Sequence, residues 1–137
     1  MGNRQRGKAR APAAWHKPLV TGWKLDRAER GQLLERFIPR YADIVADHVT
    51  LSLGAAPLPT ETRGKIVGEA DDRQGVQALI VSISGRTARP DGSTYHVTWS
   101  LDRSKGRRPV ESNQLIAQLG WSPLDKPVPL TLLPARF

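Results

Sequence analysis

A chain of 137 residues has room for one ordinary domain, and a formal charge of +8 favours anionic partners, nucleic acid first among them. No apolar run reaches the roughly 18 residues that cross a bilayer, so no membrane partner is expected, and the absence of cysteine excludes disulfides, thiolate nucleophiles and thiolate metal sites. Eleven prolines and twelve glycines call for many turns, which gives the expectation of a loop-rich mixed domain in a reducing cytoplasm, without a leader or a lipid anchor: Arg6 stands where myristoylation wants a serine or threonine.

In chain order, residues 1 to 14 carry four positive charges and no apolar period, and read as a disordered basic arm ahead of a single domain over residues 15 to 137. Leu19 to Leu25 reads as a first strand. Asp26 followed by Glu29 is a helix-start pattern in which both side chains can satisfy free amides, and the helix should run to about Ile38, where Pro39 forbids continuation. Its apolar face is Leu33, Leu34, Phe37 and Ile38. Strict alternation from Ile44 to Leu53 gives one half-buried strand with His48, Thr50 and Ser52 on its polar side.

Gly64 to Ala70 and Val76 to Ser84 read as two strands around the turn at residues 71–75, the second apolar enough to be covered on both faces. A basic loop follows from Arg86 to Gly92, and alternation returns from Thr94 to Leu101. Leu115, Ile116 and Leu119 place a helix over Glu111 to Leu119 with Gly120 as its stop. The segment Val128 to Leu133 reads as a last strand that Pro127, Pro129 and Pro134 confine to an edge.

One internal match carries chemistry. His48-Val-Thr-Leu-Ser-Leu53 and His96-Val-Thr-Trp-Ser-Leu101 agree at five of six positions, and it is the polar face that repeats. Residues two apart on a strand share a face, so each histidine projects beside its threonine. If the strands lie near each other in one sheet, four polar groups converge. Imidazole titrates near neutral pH, so one ring can take a proton from an attacking hydroxyl or water while the other gives one to a leaving oxygen. The hydroxyls of Thr50 and Thr98 can donate to the non-bridging oxygens of a phosphate, where negative charge builds.

The paired His-Val-Thr motifs resemble the 2H phosphoesterase superfamily, which includes RNA 2′,3′-cyclic phosphodiesterases and the cyclic phosphodiesterase domain of fungal tRNA ligases. That resemblance implies an α+β fold of two pseudo-symmetric sheet-and-helix lobes around a central cleft, with His48 and His96 as acid and base in an order left open. It also implies Thr50 and Thr98 as phosphate ligands and no metal or other cofactor. The motifs stand closer together here than in most members of that superfamily. The expected substrate is RNA or a nucleotide with a 2′,3′-cyclic phosphate end, opened by a monomer to leave a 2′-phosphate; cleavage of 2′-5′ linkages or of other cyclic nucleotides is the neighbouring reading.

Further candidates for substrate contact are Arg103, Lys105, Arg107 and Arg108 after the second motif, Arg86 and Arg89 in the basic loop, and Tyr41. Trp15 is a possible base platform. Trp23, Tyr95 and Trp99 are expected to pack, the last two by strand parity. His16 lies outside any motif, the histidines have no short metal-ligand spacing, and no phosphate-binding glycine loop is present. From another class, the rival reading is a non-catalytic RNA-binding module in which the arm and basic loops hold phosphates and the polar strands are surface.

Overall fold

Asp26 ends the first strand and starts the first helix, its carboxylate accepting from the Glu29 amide at 2.9 Å. The computed structural model describes residues 19–137; the arm expected over residues 1–14, with Trp15 and His16, lies outside the described residues. The described chain is α+β. It runs β1 (Val20–Leu25), α1 (Arg27–Arg36), β2 (Asp43–Ile44), β3 (His48–Leu53), β4 (Arg63–Asp71), β5 (Val76–Ser82), β6 (His96–Leu101), α2 (Glu111–Leu119) and β7 (Ser122–Arg136), with a short 3₁₀ turn at Arg103–Lys105.

Glu29 does not complete a reciprocal cap. Its carboxylate instead accepts from Thr131 N at 2.7 Å and Thr131 Oγ1 at 2.9 Å, which ties α1 to β7. The helix also stops earlier than its apolar stripe predicts: Phe37 is its C-cap, the Phe37 carbonyl accepts from Trp99 Nε1 at 2.7 Å, and Ile38 is exposed. Pro39 disfavours helical backbone at the residue before it, which accounts for the loss of Ile38 from the helix.

All strand pairs are antiparallel, in the order β2-β6-β5-β4-β7-β1-β3. β2 and β3 stand at opposite ends of that order yet are joined by Val45, Ala46 and Asp47 alone, so the sheet closes on itself through this short segment. The single strand expected from Ile44 to Leu53 is therefore a bent one. Its first part pairs β6 and its second part pairs β1, and the bend falls at Ala46, a buried residue with φ 43° in the left-handed region. Arg30 holds the bend from α1, donating to the carbonyls of Ala46 at 2.7 Å and Val45 at 3.2 Å.

β7 is the second shared strand, and it corrects the expectation of a short edge strand. Residues 122–123 and 128–131 pair β4, with 124–127 outside the ladder, and residues 132–136 pair β1, so β7 lies inside the sheet. The proline argument still holds residue by residue. Each paired stretch of β7 has a ladder on one side only, which leaves the missing amides of Pro123, Pro129 and Pro134 a free flank, and Pro127 lies outside the ladder.

Two apolar clusters follow from the pleat. The larger lies inside the closed sheet and includes Trp23, Val49, Ile66, Leu79, Val81, Val97, Trp99 and Leu132, with Leu33 and Phe37 of α1 packed on it. In the smaller, Leu115 and Ile116 of α2 cover Ala78 and Ile80 of β5. β5 is accordingly buried on both faces, and Trp23, Tyr95 and Trp99 are core residues.

Candidate active site

The two histidines are brought to one cleft by the bend at Ala46. β2 sets Asp43 against Leu101 and Ile44 against Ser100, and the same antiparallel register continues as Val45 N donates to Trp99 O at 2.9 Å and Ala46 N to Thr98 O at 3.0 Å. Beyond Ala46 that ladder ends: Asp47 O accepts from Leu25 N at 3.1 Å, and His48 pairs Lys24 of β1. At that point the bend at Ala46 hands the chain to β1, and β3 and β6 part. The opening between them is a cleft of about 380 Å³ lined by His48, Thr50, His96, Thr98, Arg89 and Asn113, with Leu53, Asp91, Ser93, Pro109 and Val110 completing its wall.

Val49 and Val97, which alternate with the cleft residues, point into the core. Gly22 fixes the height of β3: a Cβ there would lie 2.2 Å from Val49 O and 2.9 Å from Leu51 N.

The surroundings of the two rings differ. His48 Nδ1 stands 3.1 Å from Asp47 Oδ2, the oxygen that Lys24 Nζ also reaches at 2.6 Å. Burial works against ionisation of Asp47, but hydrogen bonds from Lys24 and His48, together with their charges, outweigh it and hold the carboxyl below its usual range. The Phe137 ring lies 4.6 Å from the His48 ring, centroid to centroid, with Lys24 Nζ 4.5 Å from its centre. His48 keeps 31% of its side chain exposed.

His96 is deeper. Its Nδ1 lies 2.8 Å from Thr94 O, and since a carbonyl only accepts, Nδ1 carries the proton and Nε2 the lone pair of the neutral ring. Burial pushes His96 down from 6.5 to about 4; the Thr94 hydrogen bond opposes this, while the charges of Arg89 and His48 add to it. Thr98 is also buried, its Oγ1 2.9 Å from Ser112 Oγ and 3.3 Å from Pro109 O, so α2 and the turn before it hold the second threonine in place. Thr50 is half-buried, and among the described residues its hydroxyl has no hydrogen-bond partner.

The other expected contacts lie elsewhere. Arg107 is held by Asp72 at 2.7 Å and Glu111 at 3.3 Å and donates to Gln74 O at 2.6 Å, a link between the β4–β5 turn and α2. Tyr41 donates to Asp71 at 2.6 Å, and burial together with that bond raises its hydroxyl to about 12. Arg103, Lys105 and Arg108 are exposed and do not line the cleft. Arg86 lines a neighbouring hollow with Tyr95, into which Arg89 also reaches.

Asp47, Ser112, Asn113 and Phe137 escaped the sequence reading. Asp47 precedes β3 at the bend and so can meet His48, while Ser112 and Asn113 come from α2 and Phe137 follows β7. Among the described residues, no group of three or more His, Cys, Asp or Glu is placed to hold a metal ion. No family model, curated protein or solved structure matches the chain.

Proposed function

We propose that the protein is a cyclic phosphodiesterase that opens the 2′,3′-cyclic phosphate of an RNA end or nucleotide by two-histidine acid-base catalysis, without a metal. The observation that carries this reading is the convergence of both His-x-Thr pairs on one cleft. Two imidazoles lining one space of nucleotide-phosphate size, one held neutral and the other beside a carboxylate, suit in-line displacement at phosphorus.

Roles follow from the surroundings. His96, neutral with its lone pair on Nε2, takes a proton from water as the water oxygen bonds to phosphorus. His48, whose Nδ1 side faces the Asp47 carboxylate, supplies the proton from Nε2 to O3′ as the P–O3′ bond breaks, and the product is a 2′-phosphate. The carboxylate stabilises the positive charge that His48 carries before transfer. Thr50 and Thr98 donate to the non-bridging oxygens, with Thr98 turned toward either Ser112 or the phosphate. Proton exchange between the rings and water then resets the pair.

The two-lobed arrangement of the 2H phosphoesterase superfamily is part of this proposal. β7 and the β2–β3 strand, each shared between two neighbours, are the places where such lobes would join. A monomer acting in the cytoplasm completes the reading. The test is incubation with 2′,3′-cyclic AMP in EDTA, with identification of the product isomer. Adenosine 2′-phosphate is expected, its formation abolished in His48→Ala and His96→Ala. Salt-sensitive RNA binding with no turnover of 2′,3′-cyclic AMP or of an RNA ending in a cyclic phosphate would mark the protein as an RNA-binding module.

A further inference from the structure

Arg89 is an unusual occupant of the cleft wall. Only 9% of it is exposed, yet among the described residues no carboxylate lies within ion-pairing distance of it. Its Nη2 donates to Asn113 Oδ1 at 2.7 Å, and its buried Nε has no hydrogen-bond partner. The Asp91 carboxylate favours the charged form of Arg89 without forming an ion pair with it. That carboxylate is engaged by the amide of Ser93 at 2.9 Å and the hydroxyl of Ser93 at 2.5 Å. A buried guanidinium outside any ion pair is costly, and its terminal donors are matched in shape to a phosphate. The segment that carries it is well held, since Arg89 N donates to Ser93 O and Gly92 N to Arg89 O, at 2.7 and 2.9 Å.

We propose that Arg89, oriented by Asn113, is the anion-binding residue of the cleft and that its terminal nitrogens, Nη1 with the second N–H of Nη2, grip the non-bridging oxygens of the reacting phosphate beside His96. The assignment rests on the phosphodiesterase reading for the identity of the anion, not for the existence of the anion site. It gives the cleft a permanent cation on the β6 side, where the two threonines offer only neutral donors. A guanidinium beside His96 also disfavours a second positive charge there, so one residue both draws the phosphate in and keeps its neighbour in the form that accepts a proton.

Sulfate is the probe, because it carries two charges and needs no turnover. Titrated into the whole protein, it is expected to shift the Arg89 Nε–H resonance saturably and to raise Tm. A titration that leaves that resonance unmoved overturns the proposal. Arg89→Met is expected to lose the sulfate response. Without sulfate it should be at least as stable as wild type, since an apolar side chain replaces an uncompensated charge. A lower Tm for Arg89→Met with the sulfate response retained would show a purely structural role and overturn it too.

With 2′,3′-cyclic AMP, KM should rise about tenfold or more in Arg89→Met and less in Arg89→Lys, which keeps the charge but not the fork. Sulfate binding at Arg89 without any turnover would sink the phosphodiesterase reading and leave the anion site standing. Turnover with an unchanged KM in Arg89→Met would do the reverse.

Discussion

His48–Leu53 and His96–Leu101 differ in sequence only at Leu51 and Trp99, yet the structure places them in unlike surroundings. The first strand borders the cleft from the β1 side, half-exposed, with a carboxylate beside its histidine. The second is covered by α2 and the turn before it; its histidine is buried against a backbone carbonyl and its threonine locked to Ser112. The same six residues therefore become different chemical instruments. Local sequence sets which side chains share a face, and the neighbours supplied by the rest of the fold set their proton affinity and freedom.

The sharpest way to test this contrast is to remove each ring. His48→Ala and His96→Ala should each lower kcat for 2′,3′-cyclic AMP by about 10²- to 10⁴-fold with the fold intact by circular dichroism. A variant at wild-type rate would strip that histidine of its role. The threonines should separate stability from activity. Thr98→Ala leaves the fully buried Ser112 hydroxyl without its partner and should cost about 1–3 kcal/mol in chemical denaturation as well as lowering kcat. Thr50→Ala should lower kcat while moving stability far less. Equal stability losses would mean the two threonines are held alike.

Gly22→Ala strikes only the first half. The added Cβ must displace β3 at Val49 and Leu51, and a cost of about 1–3 kcal/mol is expected together with loss of activity. The His96 ring resonances should stay near their wild-type positions. If they move as far as those of His48, the two halves are coupled more tightly than their separate ladders imply.

The pH dependence isolates His96. The unfolded chain protonates this ring at about 6.5 and the folded chain holds it neutral down to about 4, so between those values the unfolded state binds the extra proton. Stability from this group is fully present above about 6.5 and falls as pH drops toward about 4. In His96→Gln that part of the slope should vanish, measured by denaturant unfolding at pH 7, 6, 5 and 4. For catalysis, a base neutral above about 4 keeps the acidic limb of kcat/KM assigned to His96 below pH 5. The smallest effect belongs to the exposed cations: Arg103→Gln, Lys105→Gln and Arg108→Gln should change kcat/KM for the mononucleotide by less than about threefold, as exposed charges contribute about 0–1 kcal/mol each.

Much of the fold was legible because its signals are local. The Asp26 cap, the α2 stripe with Gly120 after it, the doubly buried β5 and the packing parity of Tyr95 and Trp99 all depend on residues within a turn or a strand of one another. Arg107 and Tyr41 could not be read this way. As sequence they are a cation and a phenol near a motif. In the fold they are taken by Asp72 and Asp71, which arrive from the β4–β5 turn.

The amino-acid sequence by itself determined that His48 shares a face with Thr50 and His96 with Thr98, and that both pairs lie on alternating strands. Pleat and period are properties of a few consecutive residues. Only the tertiary structure decided that the strand breaks at Ala46, that β7 runs through the sheet rather than along its edge, and that the two histidines line one cleft. It also decided that one ring is kept neutral beside a buried arginine while the other leans on a carboxylate. Those outcomes depend on pairing between segments far apart in the chain and on the exclusion of water from one side of the cleft, neither of which a local pattern encodes.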